Sequence, residues 1–142
     1  MSINHARQLF VAEHNSAGGD LDTDVQSFRH SRAIFVTDVA FVGQNPSDTD
    51  GDTTAIDVSY STDGFSSSDV EVAALAAQEF NDTDNDIGTL RTPVTVPLTS
   101  ATSFNGVTGV QVPAGAVVEV TTTNVGAGVD TRHSVIVEYI VL

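Results

Sequence analysis

From Val107 to Leu142 the chain repeats apolar and polar residues with the period of two that an extended strand requires, and this stretch restricts the fold more than any other. In Val110-Gln-Val-Pro-Ala-Gly-Ala-Val-Val-Glu-Val-Thr-Thr-Thr-Asn124 the alternation puts Val118, Val120 and Thr122 on one face and Val117, Glu119 and Thr121 on the other. From Ser134 onward Val135, Val137, Tyr139 and Val141 share a face, with Glu138 opposite between Ile136 and Ile140. The glycines of Asn124-Val-Gly-Ala-Gly-Val-Asp130 supply backbone angles that β-branched residues resist, which predicts a long antiparallel hairpin. Pro113-Ala-Gly115 is turn chemistry, so Val107–Val112 is expected to run back along the same sheet, with the C-terminal strand pinned in it.

A second anchor is Ala33-Ile-Phe-Val-Thr-Asp-Val-Ala-Phe-Val42. Strict alternation places Phe35, Thr37, Val39 and Phe41 on one face and Ile34, Val36, Asp38, Ala40 and Val42 on the other. Both faces are mainly apolar, as in a central strand or one lying against a neighbouring subunit. Ala55–Ser61 alternates with Ile56, Val58 and Tyr60 inward and Asp57 and Ser59 outward. Ser68-Asp-Val-Glu71 has capping-box spacing, and Val72, Leu75, Ala76 and Phe80 follow near one helical face, which predicts a short helix; the rival is a strand using Val70, Val72 and Ala74. In Thr92–Leu98, Val94, Val96 and Leu98 point inward, and two prolines confine the segment to an edge or a bulge. The sum is an all-β, antiparallel β-sandwich of about seven or eight strands with one short helix. Residues 1–30 read as an N-terminal arm or an edge strand, and residues 31–142 as the sandwich domain.

Nineteen acids stand against five arginines, and no lysine is present, for a formal charge of −14. A nucleic-acid groove needs clustered Lys and Arg, so nucleic acid is not an expected partner. No apolar run approaches a membrane span, and the N-terminus lacks the basic-then-apolar pattern of a secretory signal, so a soluble product made in the cytoplasm is expected, with no membrane partner. Self-repulsion on this scale destabilises a small domain in dilute buffer and fades in molar salt, where the screening length is about 3 Å. An Asp-rich, lysine-free, Thr- and Val-rich chain resembles proteins of hypersaline organisms and their viruses.

Asp48-Thr-Asp-Gly-Asp52 and Asp82-Thr-Asp-Asn-Asp86 place carboxylates at alternate positions, where the oxygens of Asp48, Asp50, Asp52, Asp82, Asp84 and Asp86 could converge on Ca²⁺ or Mg²⁺. Neither segment fits the EF-hand loop, and hydrated acidic loops are the ordinary alternative. His5, His14, His30 and His133 lack paired ligand spacing. Arg29, His30 and Arg32 read as a solvated strand entrance pairing with nearby Asp residues, with a ligand site as the rival. No nucleophile elbow and no phosphate-cradling glycine loop is present, so no enzymatic activity is expected.

Taken together, the strand Ala33–Val42, the segment Val110–Asn124 and the closing Val135-Ile-Val-Glu-Tyr-Ile-Val141 resemble the small jelly-roll virion proteins of tailed viruses, which decorate capsids or build turrets and tail appendages. The likeness spans residues 31–142 and is one of pattern. It implies a jelly-roll fold, no catalytic residues, a location in the virion after assembly in the host cytoplasm, and symmetric self-association, trimers above all, against other capsid or virion subunits. The competing expectation is a receptor- or glycan-binding appendage whose acidic loops hold a cation.

Overall fold

The computed structural model describes residues 6–15, 21–43, 53–66, 69–79, 93–125 and 132–142. Ten strands are present: β1 (Arg7–Asn15), β2 (Leu21–Arg29), β3 (Ile34–Gly43), β4 (Thr53–Ser61), β5 (Val70–Glu79), β6 (Val94–Thr95), β7 (Thr102–Phe104), β8 (Val107–Val112), β9 (Val117–Val125) and β10 (Arg132–Val141). They form two antiparallel sheets. The first runs β1-β10-β3-β8-β7, with β6 also paired to β3, and the second runs β2-β9-β4-β5.

One continuous core lies between the sheets. The first contributes Ala12, Ile34, Val36, Val39, Phe41, Val110, Val112, Val135, Val137 and Tyr139; the second contributes Ile56, Val58, Val72, Leu75, Val118 and Val120. Most of these are branched side chains that fit a pleated, half-buried surface. Along β9 the alternation holds, with Val118, Val120, Thr122 and Asn124 buried and their neighbours half-buried, or exposed at Val125.

The expected β9–β10 hairpin does not form. β9 pairs with β2 and β4, whereas β10 pairs with β1 and β3, so the two strands face each other across the core. Alternation fixes which side of a strand is buried and leaves its neighbour open, and two strands with one apolar face each are as well served by opposite sheets as by one. The Pro113–Gly115 turn does form, with the Ala116 amide donating to the Pro113 carbonyl at 3.2 Å, but it carries the chain from the first sheet to the second. Val107–Val112 therefore lies in β10's sheet and not in β9's.

The predicted helix is replaced by β5, and no helix is present among the described residues. Two register shifts account for its misleading pattern. Ser59 pairs with Glu71 and Val58 with Ala73, leaving Val72 as an extra residue, and a second shift falls between the Thr54–Gln78 and Ile56–Leu75 pairs. Bulges break the period of two, so the buried set is Val72, Ala73 and Leu75, a spacing that imitates a helical face. Ser68, the proposed cap, lies outside the described residues.

A bulge also corrects the reading of β3. Asp38 pairs with Glu138 but Val36 with Tyr139, so Thr37 is the extra residue and the buried face switches from Ile34 and Val36 to Val39 and Phe41. Phe35 points the other way and is still only 1 % exposed. Its cover comes from the β7–β8 hairpin, whose turn residues Asn105 and Gly106 both have positive φ (50° and 81°), as a tight two-residue hairpin requires. The Phe104 ring lies 5.8 Å from that of Phe35, which passes over Gly109. A Cβ at Gly109 would stand 2.7 Å from Phe35 Cε1 and would overlap the Val36 carbonyl oxygen.

The two long sides of the sandwich differ. On one, the segment after β6 crosses between the sheets: the Val96 amide donates to Val39, the Ala74 amide to Pro97 and the Thr99 amide to Val72. This covers the outer edge of β5, and the two prolines fall on an edge as the sequence predicts. On the other side β1 and β2 are the edge strands of their sheets, bridged inside by Phe10 stacked on Phe28 at 4.4 Å and Phe28 on Tyr139 at 5.5 Å. Arg7–Asn15 and Leu21–Arg29 are thus the edge strands on this side of the sandwich.

Candidate functional site: the outward face of the first sheet

The two outward faces have opposite chemistry. On the first sheet the strand register sets Val11, Ile136 and Ala40 in one row, and Arg7, Ile140, Phe35 and Gln111 in another. Between them runs Leu9, Glu138 and Asp38. Leu9, 61 % exposed, stands opposite Glu138 and diagonal to Ile136 and the buried Ile140, and Val11, 44 % exposed, pairs with Ile136. These neighbours make a contiguous apolar surface, the kind that marks an interaction site, rather than scattered single residues.

Two carboxylates, Glu138 and the exposed Asp38, stand in the middle row of this face, and the first of them is held. Arg7 Nη1 donates to Glu138 Oε1 at 2.6 Å, and Thr37 Oγ1 donates to the same oxygen at 3.0 Å. Thr37 shares the outward side of Phe35, and the bulge sets it between the Val36–Tyr139 and Asp38–Glu138 pairs, beside that carboxylate. Arg7 is well exposed and Glu138 mostly covered, so the carboxylate sits within the face while its partner reaches over it from the edge strand.

On the second sheet the rows are Val25–Thr121–Asp57–Ala74 and Ser27–Glu119–Ser59–Glu71. In these two rows hydroxyls and carboxylates separate the apolar side chains, although the face also carries the exposed Val25 and Val125. Burial pushes the Asp57 carboxyl above its ordinary value; the Ser59 hydroxyl, donating at 2.6 Å, acts the other way, and the nearby charges of Glu71 and Asp69 add to the rise. Glu71 in turn accepts from the Thr99 hydroxyl at 2.5 Å.

A small polar group lies inside one end of the sandwich. The Thr54 hydroxyl donates to Asn124 Oδ1 at 2.6 Å, Thr122 is buried nearby in sequence on the same face, and the buried His133 ring packs 5.1 Å from that of Phe41. His133 shares the inward parity of Val135, Val137 and Tyr139, a signal present in the sequence. Asp48, Asp50, Asp52, Asp82, Asp84 and Asp86 lie outside the described residues. Among the described residues no three histidines or acids are grouped to hold a metal. Arg29 and His30 fall at the exit of β2, where the Gly115 amide donates to the His30 carbonyl and the Arg29 guanidinium lies over Gly115. Arg32 is in the short connection to β3.

Sequence reasoning singled out β3 as the strand with two apolar faces. The exposed part of the patch belongs instead to β1, whose Leu9 and Val11 alternate with Phe10 and Ala12 in a segment read as an arm or an edge strand. Compared with known proteins, the chain matches no family model, no curated protein and no solved structure.

Proposed function

We propose that this chain is a non-enzymatic structural subunit of a virion, a capsid decoration, cement or turret protein of a tailed virus whose host lives in high salt, and that its sandwich is a jelly roll. Strand order supports the fold reading. With the short β6 and β7 set aside, eight strands remain in the orders β1-β10-β3-β8 and β2-β9-β4-β5, two four-stranded sheets between which the chain repeatedly crosses, as in a double-sheet jelly roll. The observation that carries the functional reading is the difference between the outward faces: neighbouring Leu9, Val11, Ile136 and Ala40 on one, and on the other rows of hydroxyls and carboxylates with Val25 and Val125 among them. One face is suited to protein and the other to brine. In this role the apolar face adds buried area between shell subunits and between copies of the chain.

Imaging particles that contain or lack this protein tests the reading. Density on the shell that disappears with the protein, together with earlier rupture on heating or dilution of salt, is the expected result. Intact particles of unchanged density and stability would overturn it.

A second reading, a receptor- or glycan-binding appendage with a Ca²⁺ ion in its acidic segments, draws on the pairing of Thr53 with Glu79. The strand ends that flank residues 44–52 and 80–92 are thereby neighbours. Thermal stabilisation by millimolar Ca²⁺ that is lost in Asp50→Asn and Asp84→Asn supports this reading, and equal stability with and without Ca²⁺ removes it.

A further inference from the structure

The free edges of the two sheets are unequal. β5 is covered by Pro97 and Thr99, and β7 is only three residues long, which among the described residues leaves β1 and β2 as the long edges without a further strand, tied to each other by the Gln26 side-chain amide donating to the Glu13 carbonyl. Natural edge strands are protected by bulges, prolines or inward-pointing charges. β1 has none of these: its register against β10 runs unbroken from Arg7–Ile140 to Asn15–Arg132, it contains no proline, and its inward side chains include Phe10 and Ala12. β2, by contrast, carries Asp24 and Gln26 at inward positions.

Charge separates the two edges further. In a chain of net charge −14, contact between two copies is repulsive unless the meeting surfaces are locally balanced. β1 has one arginine, Arg7, and one acid, Glu13; β2 has Asp22 and Asp24 against Arg29, and β5 has Glu71 and Glu79 with no base. Among these three strands only β1 is formally neutral.

We propose that a second copy of this chain docks on β1, strand to antiparallel strand, across a two-fold axis at Phe10. The sequence of β1 is self-complementary in that register alone. On the outward face Arg7 then opposes Glu13 of the second copy, and Leu9 opposes its Val11, each pair occurring twice; Phe10 meets its own equivalent on the inner side. Centring on Val11 instead sets Leu9 against Glu13, and centring on Leu9 sets Arg7 against Val11. Arg7 is 63 % exposed while bonded to Glu138, so it can reach a second carboxylate without leaving the first. The joined sheets place both copies of Leu9, Val11 and Ile136 in one uninterrupted apolar platform.

This inference rests on the reading of the chain as a self-assembling subunit and makes it more specific. An isologous contact gives dimers or other even-numbered assemblies, in place of the trimer that the resemblance implies. The test is sedimentation of the full chain at the lowest salt that keeps it folded, because molar salt screens the charges under study. Wild type is expected to form a concentration-dependent dimer. Arg7→Glu or Glu13→Arg alone should raise the dissociation constant about tenfold, and the double swap should restore it toward wild type. A role of Arg7 confined to its bond with Glu138 would not be rescued by Glu13→Arg. The chain has no cysteine, so mixing Leu9→Cys and Val11→Cys chains gives a second readout: oxidation should cross-link the mixture faster than either variant with itself. A dimer or trimer indifferent to the swaps, with no preference for the mixed disulfide, would overturn the β1 contact and leave the structural-subunit reading standing. A monomer at every concentration would overturn the β1 contact, and the structural-subunit reading then stands or falls on the particle imaging.

Discussion

Replacing Gly109 with alanine tests the packing that lets β3 be apolar on both faces. The added methyl would stand 2.7 Å from Phe35 Cε1 and 3.0 Å from Cδ1, and would overlap the carbonyl oxygen of Val36, which belongs to the backbone of a central strand. The ring cannot swing away freely, because Phe35 is buried against Phe104 on the far side. The β3 backbone cannot retreat without disturbing its pairs with β8 and β10. Overpacking of this kind costs about 1–3 kcal/mol, and a rigid backbone atom at the contact puts the cost at the upper end, about 3 kcal/mol. For a domain of this length that is a fall in Tm of roughly 9 °C. Gly106→Ala is the control: it has open space around its Cβ but a φ of 81°, so only the left-handed backbone strain of about 1–2 kcal/mol applies. Thermal or denaturant unfolding of both variants, with Phe35→Leu added to Gly109→Ala to relieve the ring but not the carbonyl, separates the contributions. A Gly109→Ala variant as stable as Gly106→Ala or more so would refute the close approach of β8 to β3.

Further expectations follow from the two outward faces. Because the folded-state pKa of Asp57 is raised above 3.8, the folded state holds its proton more tightly than the unfolded chain; the group opposes folding at neutral pH, and the opposition fades as pH falls through the raised value. Asp57→Asn is therefore expected to match or exceed wild type in Tm at pH 7 and to lose any advantage near pH 3; a variant less stable at pH 7 than at acid pH, relative to wild type, would contradict this. Raising salt from dilute to molar should increase Tm steadily as the charge of −14 is screened, and a salt-independent Tm would contradict it. Thr54→Val leaves Asn124 without the buried 2.6 Å hydroxyl bond and should cost about 1–3 kcal/mol by chemical denaturation, whereas Thr121→Val on the watery face should fall within about 0.5 kcal/mol of wild type.

The inward face of β9 was legible because the strand keeps an unbroken alternation, Val118–Val120–Thr122, whereas β4 follows it through Ile56 and Val58 and departs from it at Ser59, which is buried, and Tyr60, which is only half-buried. β3 and β5 were not, and for one reason: each contains a bulge, which adds a residue and reverses parity midway. In β5 the resulting Val72–Ala73–Leu75 set, among alanines, passes for a helical stripe. Asn105-Gly106 did carry a hairpin signal that would have located β7 and β8. The partners of β9 and β10 could not be read, since a strand's alternation carries no information about which edge it joins. The apolar patch was half legible: Leu9 and Val11 alternate in the sequence, but their outward direction depends on Phe10 and Ala12 facing the core, which only the register with β10 reveals.

Hydroxyl-radical footprinting of the protein in its native assembly, against the isolated chain in the same salt, addresses the functional assignment of the two faces most directly. Leu9, Val11 and Ile136 are expected to lose most of their labelling on assembly, while Val25 and Val125 on the opposite sheet keep theirs. Equal labelling of Leu9 and Val11 in both states, or protection of the second sheet instead, would contradict a docking role for the first.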